Sequence, residues 1–273
     1  MKYKLYRTVK EILHPTISKR NISNYRIILK DDLLPVQIFY PKKVSNINQV
    51  IICIHGDEDI TGCTDKYKEI YKNFALDTNC LVIAIDYEEI EGQYKEMVSK
   101  IQETVKYLYK GLEECEINPN KIILMGDSTG GNIITCINHL KENDWNIKKE
   151  ILFYPTLSLE YFGKTEYLSI TQNENLNFQL ISKIAKYYSS KLSKKELKEV
   201  WLLPLKREEK IPKTLLITGS VDCLKDEIKA YHEKYPEETL YLEIPFLSHG
   251  FLKRLDKEEE KIIIDTLKKM IEE

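Results

Sequence analysis

The chain has 273 residues, of which 42% are hydrophobic and 31% charged, and its formal net charge at pH 7 is −2. A chain of this length and composition can bury one large apolar core without disulfides or metal ions. The small net charge excludes a general basic field, so nucleic acid is not an expected partner. No stretch is long and apolar enough to span a membrane, and the N-terminus lacks the apolar run of a signal peptide, which favours a cytoplasmic location.

The six cysteines form no C-x-x-C pair and match no zinc-ligand spacing. Cys53 and Cys136 lie in apolar stretches, where a cysteine is usually a small buried side chain. The pattern therefore favours reduced, structural thiols in a reducing compartment, and it predicts no metal site.

Residues 1–20 open the chain with a basic amphipathic pattern that predicts a helix broken near Pro15. Val9, Ile12 and Leu13 fall on one helical face, while six basic residues stand against a single acidic one. Two interpretations are open. The apolar face docks on the protein as part of a cap, or the helix lies on an anionic membrane surface. Docking is the favoured interpretation.

Eight short apolar runs follow, and each predicts a strand. They cover residues 26–30, 36–40, 50–55, 81–87, 121–126, 150–154, 214–219 and 239–245. The first two are separated by a short polar turn at Asp31-Asp32, which predicts an antiparallel hairpin at the edge of the sheet. The run Val50–Ile54 is apolar at every position, as is typical of parallel strands that are buried on both faces.

Helical patterns alternate with these strands. Apolar residues at 94, 97, 101, 105 and 108 form one stripe, a second helix is predicted from Ser128 to about Leu140, and a third over 257–271. Strand–helix alternation predicts an α/β fold, in which helices cover both faces of a mostly parallel sheet. Because no repeat or linker divides the chain, residues 1–273 are expected to form one domain.

Residues 156–203 contain no convincing strand, but they carry helical patterns near 177–189 and 194–200. An insertion at this point would cover the carboxyl ends of the strands, where open α/β sheets bind ligands. Together with residues 1–20, this stretch is therefore predicted to form a small helical cap.

The most informative passage is Gly126-Asp127-Ser128-Thr129-Gly130, which follows a buried strand and precedes a helix. In the Gly-x-Ser-x-Gly pattern the serine lies on a sharp, strained turn, and the glycines remove side chains that would clash. The helix N-terminus adds positive potential for a developing oxyanion. A phosphate-binding glycine turn is the alternative, but no lysine follows at the P-loop position. The pattern predicts Ser128 as a nucleophile.

A serine nucleophile needs a base, and His249 stands between the last predicted strand and the last helix, which is where α/β hydrolases carry it. The acid should follow the preceding strand. Asp222 is nearest to the end of that strand, whereas Asp226 falls in the first turn of a helix, where acids are common for other reasons. The order Ser128, Asp222, His249 is that of α/β hydrolases rather than of chymotrypsin or subtilisin.

These residues resemble the hormone-sensitive-lipase-like esterase family over about residues 50–251. The stretch Gly-Asp-Ser-Thr-Gly-Gly at 126–131 is close to the family's Gly-Asp-Ser-Ala-Gly-Gly, and Asp222-x-Leu224-x-Asp226-Glu227 and His249-Gly250-Phe251 look like its acid and histidine loops. The resemblance implies an α/β-hydrolase fold with a mostly parallel eight-stranded sheet and a small helical cap. It also implies hydrolysis of carboxylic esters with short acyl or acetyl groups.

The chain departs from the family after the third predicted strand, where His55-Gly56 is followed by acidic residues in place of the family's His-Gly-Gly-Gly. By resemblance, the backbone N–H groups of Asp57, Glu58 and Thr129 would hold the oxyanion. A carboxylate about 6 Å from the oxyanion, at an effective dielectric of ~20, would repel it by about 3 kcal/mol, or roughly a hundredfold in rate.

Three interpretations of this acidic loop are open. The carboxylates point to water and leave a working oxyanion hole, which is the favoured interpretation. The hole is instead weakened or tuned to a cationic substrate, or the acids at 57–59 bind a divalent metal.

The sequence therefore predicts a serine hydrolase that cleaves small-molecule esters through an acyl-enzyme intermediate. No cofactor is predicted, because the three residues supply nucleophile, base and orienting acid by themselves. Two alternatives are an amidase or deacylase of the same fold and a non-catalytic ligand-binding protein that keeps the pocket. The oligomeric state is open.

Overall fold

The computed structural model describes residues 2–14, 25–29, 32–44, 47–56, 64–87, 94–140, 145–158, 186, 190 and 192–272. Several sequence predictions lie outside these residues: the helix break near Pro15, the oxyanion-loop acids at 57–59, the predicted structural thiol of Cys63, and all but one residue of the helical pattern at 177–189. That residues 1–273 form one domain, and that residues 1–20 and 156–203 form its cap, both stay predictions.

Eight strands form one sheet, as the sequence predicts. They are β1 (Tyr25–Ile27), β2 (Val36–Phe39), β3 (Val50–Ile54), β4 (Leu81–Ile85), β5 (Ile122–Asp127), β6 (Lys149–Phe153), β7 (Lys213–Gly219) and β8 (Thr239–Ile244). Their order in the sheet is β1-β2-β4-β3-β5-β6-β7-β8. Strand β2 is antiparallel to both β1 and β4, and the remaining pairs are parallel. The predicted α/β-hydrolase fold is confirmed, including the antiparallel pair at the edge.

In the described part of the chain, helices precede, separate and follow these strands. They are α1 (Lys2–Leu13), α2 (Asp65–Thr78), α3 (Tyr94–Glu114), α4 (Thr129–His139), α5 (Lys225–Lys234) and α6 (Lys257–Glu272). The sequence analysis did not identify α2, although its buried side chains recur at helical spacing: Tyr67, Tyr71, Phe74, Ala75 and Thr78. This helix ends at Asn79, which adopts the left-handed conformation common at helix C-termini.

The core lies on both faces of the central strands. Every residue of β3 and β4 is buried, which explains why these runs lack polar–apolar alternation. The predicted stripe on α3 is buried, with Ile101, Val105 and Leu108 fully inaccessible, and the helix packs against α1 and α4. Burying each such aliphatic side chain stabilises the fold by about 1.5–3 kcal/mol. This rigid sheet fixes the positions of the loops at its carboxyl edge.

The apolar face of α1 is buried, since Val9, Ile12 and Leu13 are at most 3% exposed. The helix packs against α3, and the Tyr40 hydroxyl donates to the Ile12 carbonyl over 3.0 Å. This burial supports docking on the protein over binding to a membrane. Tyr40 follows β2 and lies beside the amino end of β4. The C-terminal half of α1, which contacts Tyr40, is therefore at the amino end of the parallel strands and away from their carboxyl ends. Among the described residues, no helix combines the length and apolarity needed to cross a bilayer.

The stretch before β7 forms short 3₁₀ turns at Glu196–Lys198, Val200–Leu202 and Pro204–Lys206. The helical pattern predicted near 194–200 is thus present as separate 3₁₀ turns rather than as one longer helix. The break falls at Glu199, whose extended backbone (φ −69°, ψ 133°) separates the first two turns. Pro204 separates the last two, because proline disfavours helical backbone at the preceding residue. Leu203 accordingly has φ −120° and ψ 76°.

Candidate active site

Ser128 occupies a strained turn between β5 and α4. Its backbone has φ 50° and ψ −118°, a conformation that non-glycine residues rarely adopt. The Ser128 N–H donates to the Phe153 carbonyl of β6 over 2.9 Å, which holds the turn against the sheet. Gly130 is required beside it, since a Cβ there would lie 2.2 Å from the Ile54 carbonyl oxygen. The predicted nucleophile turn is therefore formed at the carboxyl edge of the sheet.

The structure brings Ser128, His249 and Asp222 together from three separate loops. Ser128 Oγ lies 2.9 Å from His249 Nε2, and His249 Nδ1 lies 3.1 Å from Asp222 Oδ1. All three residues are at most 4% exposed. Asp222 Oδ1 also accepts a hydrogen bond from the Leu224 N–H over 2.8 Å, which fixes the carboxylate. Asp226, the alternative acid, lies in the first turn of α5 and is partly exposed.

Asp127 connects the nucleophile turn to the loop after β3. Its carboxylate accepts hydrogen bonds from the Gly56 N–H at 2.9 Å, the Tyr67 hydroxyl at 2.7 Å and the Tyr154 hydroxyl at 3.3 Å. Burial, together with the Asp127 charge, holds the pKa of Tyr67 well above its usual range, so this phenol remains a donor. These contacts hold Gly56 in place, and Gly56 directly precedes the predicted oxyanion donors Asp57 and Glu58.

His55 is buried at the start of the same loop. Its ring stacks on Tyr87 with centroids 4.2 Å apart, and the Tyr87 hydroxyl donates to the His55 carbonyl over 2.5 Å. Nδ1 lies 2.9 Å from the Gly56 carbonyl oxygen, which makes it a donor. Burial lowers the pKa of His55 to about 4, so the ring is neutral at neutral pH.

A family model described as alpha/beta hydrolase fold matches residues 51–253. The chain belongs to this family. The predicted resemblance to hormone-sensitive-lipase-like esterases is thereby confirmed. The matched segment runs from β3 to the turn after His249, so it contains every strand and loop that forms the site described above.

Relatives of this α/β hydrolase are distant in sequence. Arylacetamide deacetylase-like 3 of Mus musculus is 28% identical over 166 residues, which cover 57% of this chain and 39% of the relative. Carboxylesterase NlhH of Mycobacterium tuberculosis is 23% identical over 232 residues, covering 80% of this chain and 71% of the relative. The matches span between one third and two thirds of the length of the first four curated relatives.

Solved structures share the fold of this α/β hydrolase over nearly its whole length. Carboxyl esterase 2 from Tuber melanosporum superimposes with a TM-score of 0.77 at 18% sequence identity, covering 95% of this chain and 89% of that one. Identity this low shows the common fold alone.

Tyr154 is a site residue whose position the sequence did not predict. It follows β6 with φ 36°, and its ring packs edge-on against His249 at 4.8 Å and Phe251 at 4.7 Å. A non-glycine residue in this region costs on the order of 1–3 kcal/mol, so the surrounding contacts must hold it there. Since its hydroxyl also reaches Asp127, Tyr154 links the histidine loop to the nucleophile turn. The positive φ has no signature in the sequence.

Glu227 ties α5 to the beginning of the inserted stretch. Its Oε1 accepts a hydrogen bond from the Leu157 N–H over 2.7 Å, and the residue is 1% exposed. Burial is the main cause that raises the pKa of Glu227 to about 8, and the nearby Asp222 charge adds to it. This carboxyl is therefore protonated at neutral pH.

Replacing Glu227 by glutamine is expected to flatten the pH dependence of stability. Between about pH 5 and 8 the unfolded chain has this group ionised while the folded chain keeps it protonated, because its folded pKa is raised. The free energy of unfolding therefore falls as pH rises, by up to ~1.4 kcal/mol per pH unit from this group. Glutamine keeps an acceptor for the Leu157 N–H but cannot ionise.

Urea unfolding of both proteins at pH 6 and pH 8 tests this expectation. The wild-type midpoint should drop more between the two pH values than the Glu227→Gln midpoint does. Equal drops in the two proteins would show that Glu227 ionises normally in the fold.

Proposed function

We propose that this chain is a serine hydrolase that cleaves carboxylic esters, with Ser128 as nucleophile, His249 as base and Asp222 as the orienting acid. The observation that carries the proposal is the continuous pair of hydrogen bonds from Ser128 Oγ through His249 to Asp222, at 2.9 and 3.1 Å. Nucleophile–base and base–acid contacts at these distances are what covalent acyl transfer requires. The nucleophile also lies on a strained turn at a helix N-terminus, as this chemistry needs.

The proposed reaction proceeds in two acyl-transfer steps. His249 Nε2 takes the Ser128 proton as Oγ attacks the acyl carbon, and Asp222 stabilises the imidazolium that forms. Collapse of the tetrahedral intermediate breaks the ester bond, and His249 returns the proton to the departing alcohol. Water, deprotonated by His249, then attacks the acyl-serine, and His249 returns the proton to Ser128 Oγ as the acid leaves, so that ester and water become acid and alcohol.

The oxyanion donors are part of the same proposal. The Thr129 N–H lies at the first position of α4, where backbone donors lack partners within the helix and the helix dipole is positive. By family resemblance, the backbone N–H groups of Asp57 and Glu58 complete the hole, with their carboxylates directed to water. The Gly56–Asp127 hydrogen bond supports this arrangement because it anchors the residue that precedes both donors.

Small-molecule esters with short acyl groups are the proposed substrates, since relatives of this chain are named carboxylesterase and arylacetamide deacetylase-like. The second of these names is the reason to keep amide deacylation as an alternative activity. The hydrogen bonds that join Ser128, His249 and Asp222 argue against the alternative that the chain is a non-catalytic binding protein. The cytoplasm is the proposed location, because all five described cysteines are free thiols.

Hydrolysis of p-nitrophenyl acetate, butyrate and octanoate, measured beside 4-nitroacetanilide, tests the proposal. We expect turnover of the acetate and butyrate, with the chain-length profile reporting the size of the acyl pocket. Preference for the anilide would favour the deacylase alternative. If a folded protein turns over none of the four, the hydrolase proposal is wrong and ligand binding becomes the leading function.

A further inference from the structure

Cys223 lies beside the Asp222–His249 pair but has no part in the proposed ester hydrolysis. One donor atom from each of Asp222, Cys223 and His249 lies within 4.8 Å of the other two. All three residues are buried, with exposed fractions of 3%, 4% and 4%. Carboxylate, thiol and imidazole thus converge on one point in the interior of the molecule.

A second observation marks this point as a place for a cation. Asp222 Oδ2 is buried and accepts no hydrogen bond from any residue that the structure describes. A buried polar atom without a partner costs about 1–3 kcal/mol, and for a charged group the cost is larger. A metal ion bound to the Asp222 carboxylate compensates its buried charge, since buried charges in proteins are paired or bind metals.

The donor types select the ion. Thiolate, imidazole and carboxylate together suit Zn²⁺, whereas Mg²⁺ and Ca²⁺ prefer sites made of oxygen ligands alone. With Zn–N and Zn–O bonds of ~2.0–2.1 Å and a Zn–S bond of ~2.3 Å, the donors of a tetrahedral site lie about 3.3–3.6 Å apart. The His249 Nδ1–Asp222 Oδ1 separation of 3.1 Å is already near this value. The widest edge of the cluster is no longer than 4.8 Å, so the donors on it need to approach by about 1.2 Å at most.

We propose that Asp222, Cys223 and His249 form an inhibitory zinc site, which binds Zn²⁺ through a carboxylate oxygen, Sγ and Nδ1, with water as the fourth ligand. Binding breaks the S–H bond of Cys223 and releases one proton, while His249 moves its proton from Nδ1 to Nε2. The double charge of the ion is then balanced by the thiolate and the Asp222 carboxylate. Nothing is oxidised or reduced in this exchange.

The inhibitory consequence rests on the proposed function. With zinc on Nδ1, the ring carries its proton on Nε2, which faces Ser128 Oγ at 2.9 Å. A protonated Nε2 cannot accept the Ser128 proton, so the nucleophile loses its base. Asp222, bound to the metal, no longer stabilises the imidazolium.

Two measurements on chelator-treated full-length protein test the site, each with Cys223→Ala and a matched Cys80→Ala control. Cys80 is also buried but lies near the amino ends of the strands, away from His249. The first measurement is inhibition of ester hydrolysis by Zn²⁺, relative to the metal-free rate of each protein. The second is Co²⁺ absorbance, in which a thiolate-to-cobalt band reports Cys223 ligation without any need for activity.

We expect wild type and Cys80→Ala to show the thiolate band and to be inhibited by Zn²⁺ but not by Mg²⁺. Cys223→Ala should lose the band and need at least ~10–100-fold more Zn²⁺ for the same inhibition. Losing an outer-shell partner lowers metal affinity by that factor, and losing a direct ligand should lower it by no less. Cys223→Ser, which keeps the volume and a hydrogen-bond donor, is the second variant if the alanine protein does not fold.

Equal zinc sensitivity of wild type and Cys223→Ala, or a wild-type protein without the thiolate band, overturns the proposal. The two proposals fail separately. Ester hydrolysis without the cobalt band would contradict the metal-site proposal and leave the hydrolase proposal standing. A Cys223-dependent band in a protein that hydrolyses no ester would contradict the hydrolase proposal and support the metal site.

Discussion

Replacing Ser128 by alanine is expected to lower kcat/KM for p-nitrophenyl acetate by at least ~10⁴-fold, because the variant has no atom to form the acyl-enzyme. Binding and the backbone oxyanion donors remain, so a small rate above the buffer reaction should persist. The fold should survive, since within the described part of the chain the Ser128 hydroxyl is hydrogen-bonded to His249 alone. Alanine tolerates the φ of 50° no worse than serine does.

Initial rates of both proteins, together with thermal unfolding curves, check this result. A fluorophosphonate probe adds an independent readout, because it should label the wild type at Ser128 and leave the variant unlabelled. If the folded variant keeps more than a few per cent of the wild-type rate, Ser128 is not the nucleophile. The Ser128–His249–Asp222 assignment would then be wrong as a whole.

Replacing Asp222 by asparagine is expected to lower kcat by about 10³–10⁴-fold, whereas the same change at Asp226 should alter it less than about threefold. Asparagine at 222 presents an amide N–H or a neutral oxygen to His249 Nδ1, 3.1 Å away in the wild type. An amide N–H facing Nδ1 favours the tautomer with the proton on Nε2, which cannot accept the Ser128 proton, and in either orientation the neutral amide no longer stabilises the imidazolium. Asp226 is partly exposed in the first turn of α5 and has no such contact to lose among the described residues.

The paired variants decide between the two acids that the sequence left open. Both substitutions remove one negative charge from the same loop, so a general electrostatic effect should be similar in the two proteins. A large loss in Asp226→Asn with a small one in Asp222→Asn would reverse the assignment. Equal losses would indicate that the loop, rather than one carboxylate, supports His249.

Much of the fold was determined by local patterns in the sequence. Strands β3, β4 and β5 were predicted because continuous apolar runs are typical of parallel strands buried on both faces. The nucleophile turn was predicted from the Gly-x-Ser-x-Gly pattern, and the structure gives the reason for Gly130, because a Cβ there would clash with the Ile54 carbonyl oxygen. Chain order after β7 and β8 was enough to indicate Asp222 and His249, since each loop follows directly from its strand.

Helix α2 was missed, although Tyr67, Tyr71 and Phe74 carried a usable signal at helical spacing. Its most consequential contact could not be predicted, because the Tyr67 hydroxyl meets Asp127 across 60 positions of sequence. The packing of α2 against the sheet decides that contact, and no local pattern encodes it.

The same limit applies to the remaining features of the site. The ring of Tyr154 reaches His249, Glu227 meets the backbone of Leu157, and Cys223 lies within reach of both Asp222 and His249. The sequence by itself determined which residues have suitable chemistry and on which loops they stand, because periodicity and turn stereochemistry are local. Only the tertiary structure decided which side chains meet and which are removed from water, because contacts and pKa values depend on packing between segments distant in the chain.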